Sequence, residues 1–163
     1  MSKEKVPVTP ATRMLREHGV AFTDHLYVYE EHGGTGVSSR ELGVDEHAVV
    51  KTLVMENERG EPLIVLMHGD MQVSTRQLAR RLGVKSVSPC TPEAAQRHTG
   101  YQVGGTSPFG ARKSMPVYME RTVLELPRIY VNGGKRGYLV GIDPQDMLRV
   151  LVPTLVEVGI AHA

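Results

Sequence analysis

Three short segments of the chain hold residues whose type and spacing could do chemistry. The first is Val49-Val50-Lys51-Thr52-Leu53-Val54, a lysine inside an otherwise apolar, β-branched run. Taken alone, Lys51 reads most simply as a solvent-facing strand lysine that guards an edge. The alternative is a cation turned into a cleft, where it holds a phosphate or a developing oxyanion. The second is Gly104-Gly105-Thr106-Ser107-Pro108. Two glycines followed by two hydroxyls can be a plain loop, or can present several backbone N–H groups on one side, a nest suited to an oxyanion or carboxylate. Arg112 and Lys113 add positive charge just beyond it. The third is Asn132-Gly133-Gly134-Lys135-Arg136-Gly137. A hairpin turn explains it fully, and a second glycine-rich wall with Lys135 or Arg136 near phosphate is the other reading.

Other chemistries find little support. The histidines stand at 18, 25, 32, 47, 68, 98 and 162 without an H-x-H or H-x-x-x-H pair. Asp70 follows His68 closely but no third ligand falls in step, so neither a metal nor another cofactor is expected. Cys90 is the single cysteine, which excludes an internal disulfide and fits a reducing, cytoplasmic setting. It precedes a helix start, which could lower its pKa, but a buried structural thiol is the commoner case. Neither a G-x-S-x-G, nor a phosphate loop, nor a dinucleotide fingerprint occurs.

These segments must be held by a core. A chain of 163 residues, 40% apolar and 23% charged, is large enough for one domain with its own core. No apolar run approaches bilayer length, since Arg149, Pro153 and Glu157 interrupt the greasy C-terminal stretch. No apolar stretch follows the charges of residues 1–8, so a secretory leader is not expected. The 19 basic and 18 acidic residues give a net charge of +1, unlike a protein that grips a long nucleic-acid backbone. Any RNA partner is therefore expected to be held only by its end, or with a further partner holding the rest. With 5% aromatic residues and no Trp, broad base-stacking platforms are not expected either.

The patterning predicts a helix after Thr9-Pro10, closed by Gly19, and a strand over residues 21–29. A glycine-rich loop over 30–36 leads to a short helix over 38–42. Strands over 49–55 and 63–67 form a hairpin. Further elements are a helix over 74–82, a strand over 84–87 and a helix from Thr91-Pro92 to about Thr99. Short strands follow over 117–119, 123–124, 129–131 and 138–142, and Asp143-Pro144 caps a last helix. Without regular βαβ alternation this predicts an α+β fold around a mixed sheet.

Taken together, the three segments resemble the YbaK/EbsC family of aminoacyl-tRNA deacylases, in order and in spacing. Val50-Lys51-Thr52-Leu53, residues 99–110 and residues 129–137 carry the resemblance, together with Thr9-Pro10-Ala11 and His25-Leu26-Tyr27. It covers residues 9 to about 151 and tips the readings of Lys51 and of the 104–108 loop toward function. The resemblance implies one editing domain over residues 1–163, with a barrel-like mixed sheet flanked by helices. It implies hydrolysis of the ester between a mischarged amino acid and the acceptor end of tRNA, with prolyl-tRNA synthetase as partner and no membrane. Lys51 matches the family's essential lysine, to act with Gly104 and Gly105. Substrate contacts are implied at Tyr27, Thr52, Thr106, Ser107, Pro108, Asn132, Gly133 and Lys135. Cysteine on tRNA(Pro), or on tRNA(Cys), is the implied substrate, attacked by its own thiol. Water-driven removal of alanine or another small residue, and a non-catalytic aminoacyl-tRNA-binding module, are the alternatives. Asn132 stands where relatives often carry Ser, and Leu139 where some carry Asp, which leaves the roles of both open.

Overall fold

The computed structural model describes residues 6–161, so the charged start of the chain and His162 lie outside the described residues. Among these, five helices and ten strands occur: α1 (Pro10–Glu17), β1 (Thr23–Leu26), α2 (Gly34–Leu42), β2 (Val49–Asn57), β3 (Pro62–His68), β4 (Met71–Val73), α3 (Thr75–Leu82), β5 (Val87–Pro89), α4 (Pro92–Thr99), β6 (Val117–Glu120), β7 (Ile129–Lys135), β8 (Tyr138–Ile142), α5 (Pro144–Leu151), β9 (Thr154–Val156) and β10 (Gly159–Ala161). The main sheet runs β1-β8-β7-β2-β3-β6-β9, with β5 attached to β2, while β4 and β10 form a separate pair. Pairing is mixed: β2 is antiparallel to β3 and β5 but parallel to β7, and β3 is parallel to β6. This is the mixed α+β architecture that the pattern and the resemblance imply.

The uninterrupted apolar run Leu63-Ile64-Val65-Leu66-Met67 follows from burial on both faces of β3. Ile64 and Leu66 join one core with α1, β7, β8 and Met147 of α5. Leu63, Val65 and Met67 join a second core with Leu78 of α3 and Val87 of β5. Side-chain alternation on one strand thus holds both cores together.

Helix starts follow their caps. Thr9 accepts from the Thr12 amide at 3.1 Å, with Pro10 in the first turn. Thr91 and Asp143 do the same for α4 and α5. Four expectations need correction. The strand expected at 123–124 is a 3-10 turn, Arg121–Glu125, that buries Val123. Only Thr23–Leu26 of the expected first strand pairs, against β8. The helix expected from Ser38 starts at Gly34, one turn inside the supposed loop. The strand expected at 84–87 lies at Val87–Pro89, where β2 supplies a partner.

Candidate active site

The site forms where the sheet parts. On one side, β2 pairs with β7 only at Val49 and Val50 and with β5 only from Met55 onward. Between those points, from Lys51 to Val54, its edge has no neighbouring strand, and a cleft of about 550 Å³ opens along it. On its other edge β2 stays paired to β3, so Lys51 sits on a rigid strand opposite Met67.

Lys51 is half-buried, and burial lowers its pKa while Glu46 and Asp70 partly oppose the shift. Its ammonium donates to Gly69 O at a long 3.5 Å and makes no carboxylate pair within 4.0 Å among the described residues. The charge is thus held in place without being neutralised. Gly69 is fixed from behind: its N–H donates to Val49 O at 2.6 Å, and a Cβ there would fall 2.7 Å from Thr35 Oγ1. Thr35 Oγ1 lies 2.8 Å from Glu46 Oε2 and 3.1 Å from Gly69 O, so its single proton serves one of them at a time. Beside Lys51, Thr52 Oγ1 is the one buried side-chain polar atom among the described residues without a hydrogen-bond partner. Such atoms are rare in folded proteins and call for an explanation.

The two glycine-rich segments form one wall. Gly105 is buried, and a Cβ on it would come within 2.8 Å of Arg136 N and 2.9 Å of Lys135 C. Glycine is required there because the 104–108 loop rests on the backbone of the β7–β8 turn. Asn132 locks the two together: its Nδ2 donates to Gly104 O at 3.1 Å while its Oδ1 accepts from Gly134 N at 2.7 Å and Lys135 N at 3.2 Å. Arg136 adds a bond from Nε to Val103 O at 2.8 Å and stacks on Tyr29, 4.8 Å from the ring centroid.

Of the residues expected at a site, Tyr27, Lys51, Thr52, Gly104, Thr106 and Asn132 line the cleft. Tyr27 keeps a phenol whose pKa is raised by burial. The others stand behind the wall. Ser107 is fully buried and accepts from Phe109 N at 3.2 Å, so its hydroxyl staples the loop. Pro108 is buried beside it. Gly133 accepts from Thr9 Oγ1 at 2.5 Å and packs under Tyr138. Lys135 is exposed. The Gly105 amide, expected to meet an oxyanion, already donates to Gln102 O at 2.8 Å. The amides of Gly104 and Thr106 have no protein acceptor among the described residues and take its place as candidate donors.

Sequence reasoning missed several lining residues. Cys90, which lies outside the segments that carry the family resemblance, lines the cleft, because β5 joins β2 at the edge of the opening. Its thiol pKa is raised by burial and by Glu56, the opposite of activation. Leu139 also lines the cleft, and it is the cross-strand partner of Asn132. The two positions that depart from the family pattern are therefore neighbours. Thr35 belongs to the first turn of α2, inside the stretch expected to be loop; Gly34 and Gly36 on either side mask its signal. Asp70 pairs with His47 at 2.9 Å, not with His68, whose ring is fully buried between His47 O and Thr122. No group of three or more His, Cys, Asp or Glu placed to hold a metal occurs among the described residues.

Residues 35–150 match the family described as aminoacyl-tRNA editing domain. The chain belongs to that family. The match takes in the cleft lining from Thr35 through Lys51 to Leu139, while the lining residues from Tyr27 to Gly34 precede it. The chain is 29% identical, over 91% of its length and 92% of the relative's, to the Enterococcus faecalis protein named "Putative Cys-tRNA(Pro)/Cys-tRNA(Cys) deacylase EbsC". It is 33% identical over 105 residues to the proline–tRNA ligase of Nitratidesulfovibrio vulgaris, covering 64% of this chain but 17% of the ligase. Its likeness there is to one stretch of a far longer enzyme. The crystal structure of hypothetical protein APE2540 superposes with a TM-score of 0.85 over 93% of this chain and all of that one, at 20% identity, which shows a shared fold. No helix among the described residues is long and apolar enough to cross a membrane.

Proposed function

We propose that this editing-family protein is a free-standing cytoplasmic deacylase that removes cysteine from mischarged tRNA(Pro), working beside prolyl-tRNA synthetase. The observation that carries the reading is the unneutralised ammonium of Lys51 at the opening in β2, on the strand that also carries the orphaned Thr52 hydroxyl. An ammonium so placed is suited to an anionic ligand entering the cleft. The name of the Enterococcus relative supports cysteine as the amino acid, and the ligase match supports the prolyl system. Cleft residues Leu53, Met55, Ala95 and Leu139 suit a small, weakly polar side chain.

In this reading Lys51 holds the terminal phosphate or ribose of the tRNA. The amides of Gly104 and Thr106 donate to the ester carbonyl oxygen as it becomes anionic, which stabilises the transition state more than the ground state. The cysteinyl thiolate attacks its own carbonyl carbon, forming a C–S bond. The C–O bond to the ribose breaks, and the ribose oxygen takes a proton. Water then opens the small thiolactone. The intramolecular attack supplies an effective concentration on the order of 10⁵ M or more when well aligned, so the protein needs no nucleophile of its own. Cys90, with its raised pKa, is ill suited to serve as one.

The test is deacylation of Cys-, Ala- and Ser-tRNA(Pro) side by side. Cysteine is expected to be released fastest. Equal rates for serine, whose hydroxyl is a far poorer nucleophile at neutral pH, would refute attack by the substrate thiol. Faster release of alanine would move the specificity to that residue and the attack to water.

A further inference from the structure

The cleft has two rims that differ in charge. One is the segment after β1, where Glu30 and Glu31 line the cleft and are exposed, Glu30 3.6 Å from Arg40, with Arg136 beside Tyr29 on the same side. The other is α4, which contributes Pro92 and Ala95 to the lining and carries Arg97 in its last turn. Arg97 lies near enough to Cys90 in the cleft to favour its thiolate electrostatically. The chain then returns to the end of α4: the Arg112 and Lys113 amides donate to Thr99 O and His98 O at 3.0 and 2.9 Å. Backbone groups do this capping, so the side chains of Arg112 and Lys113 are left over. Arg97, Arg112 and Lys113 are all exposed, and none pairs with a carboxylate within 4.0 Å among the described residues. Glu56, 4.0 Å from Cys90 Sγ, faces this rim and Glu93 stands in the first turn of α4, and neither forms an ion pair with these cations.

Resting on the editing reading above, we propose that the stem of the tRNA leaves the cleft over the α4 rim, with Arg97, Arg112 and Lys113 receiving its phosphates. Like charges left side by side without acid partners repel one another, and a polyanion removes that cost. Phosphate contacts of this kind set position and orientation without reading sequence. The opposite rim, where Glu30 and Glu31 are met by Arg40 and Arg136, has no such excess of cations. A molecule with a net charge of +1 can thereby give direction to an RNA end that it does not hold along its length.

The protein carries a second set of cations that serves as a control. Arg76, Arg80 and Lys85 line a groove of about 380 Å³ beside α3 that shares no lining residue with the cleft. Binding of an uncharged tRNA is measured by fluorescence anisotropy across a salt series. Arg97→Ala/Lys113→Ala is expected to weaken binding and to reduce the slope of log K against log salt by about 2, one for each phosphate no longer neutralised. Arg76→Ala/Arg80→Ala removes the same charge and is expected to leave the slope as in the wild type. Glu30→Gln/Glu31→Gln is expected to tighten binding. An unmoved slope in the Arg97/Lys113 variant, or an equal fall in the Arg76/Arg80 variant, overturns the proposal. Deacylation is followed separately: a wild-type protein that binds with the expected slope yet hydrolyses no aminoacyl-tRNA overturns the editing reading and leaves the rim standing.

Discussion

Replacing Lys51 by methionine separates catalysis from stability in a way that few active-site changes do. The side chain is half-buried, its ammonium has one long bond to Gly69 O at 3.5 Å, and burial lowers its pKa. A lysine whose pKa is lower folded than unfolded opposes folding. That cost is fully present below the folded pKa and disappears as pH rises past the ordinary lysine value of about 10.4. At neutral pH, Lys51→Met removes the cost and keeps the aliphatic stem against the strand. Its Tm is therefore expected to equal or exceed that of the wild type. The kcat/KM for deacylation should fall by about 10–10²-fold, the loss of about 1.5–3 kcal/mol expected when a hydrogen bond between charged groups is removed. In the wild type, activity should also decline as pH rises through the lowered Lys51 pKa, an alkaline limb that the variant lacks. Thermal melts and single-turnover deacylation from pH 6 to 10 decide the matter. A variant that retains activity within a few-fold, with the alkaline limb intact, would refute the role given to Lys51.

Three further outcomes follow from the same geometry. Cys90→Ala should keep the wild-type kcat/KM for Cys-tRNA, since the thiol lines the cleft with a raised pKa; an inactive variant in steady-state assays would install a protein nucleophile. Asn132→Ala removes the bond to Gly104 O and the acceptor for two amides. At about 1 kcal/mol each, these should lower kcat and speed hydrogen exchange in residues 104–106, and unchanged exchange would refute the clamp. Ser107→Ala leaves the Phe109 amide without its partner, which should cost about 1–3 kcal/mol of stability by denaturant titration, with little change in KM; a rise in KM without destabilisation would place Ser107 in the substrate site after all.

Local chemistry made much of the fold legible. The caps at Thr9, Thr91 and Asp143 and the glycine stops at Gly43, Gly83 and Gly100 lie within a few residues of the helices they define. The elements that sequence reasoning misses lack a local cause. Strands β4, β9 and β10 are three residues each and exist only because a distant strand or edge pairs with them. The turn Arg121–Glu125 has a β-like composition, but β6 has already ended against β3 and β9, and Val123 is buried without a ladder. Propensity gives way to tertiary packing there.

The site divides along the same line. Gly104, Gly105, Gly133 and Gly134 are visible in the sequence as unusual residues, but only their mutual contact separates the roles. Gly104 lines the cleft at φ +89° with the Tyr29 ring where a Cβ would stand, Gly105 rests on the Lys135–Arg136 backbone, and Gly133 lies under the Tyr138 ring. Lys51 shows the limit most clearly. A lysine in a β-branched strand is bland when both edges of the strand are paired, and its side chain then emerges at the surface. Here the neighbours of β2 are parallel β7 at one end and antiparallel β5 at the other, contributed by residues 129–135 and 87–89. Neither reaches the middle of the strand. The gap that opens the cleft beside Lys51 is therefore written in the lengths and registers of two other strands, which no reading of residues 49–54 alone could supply.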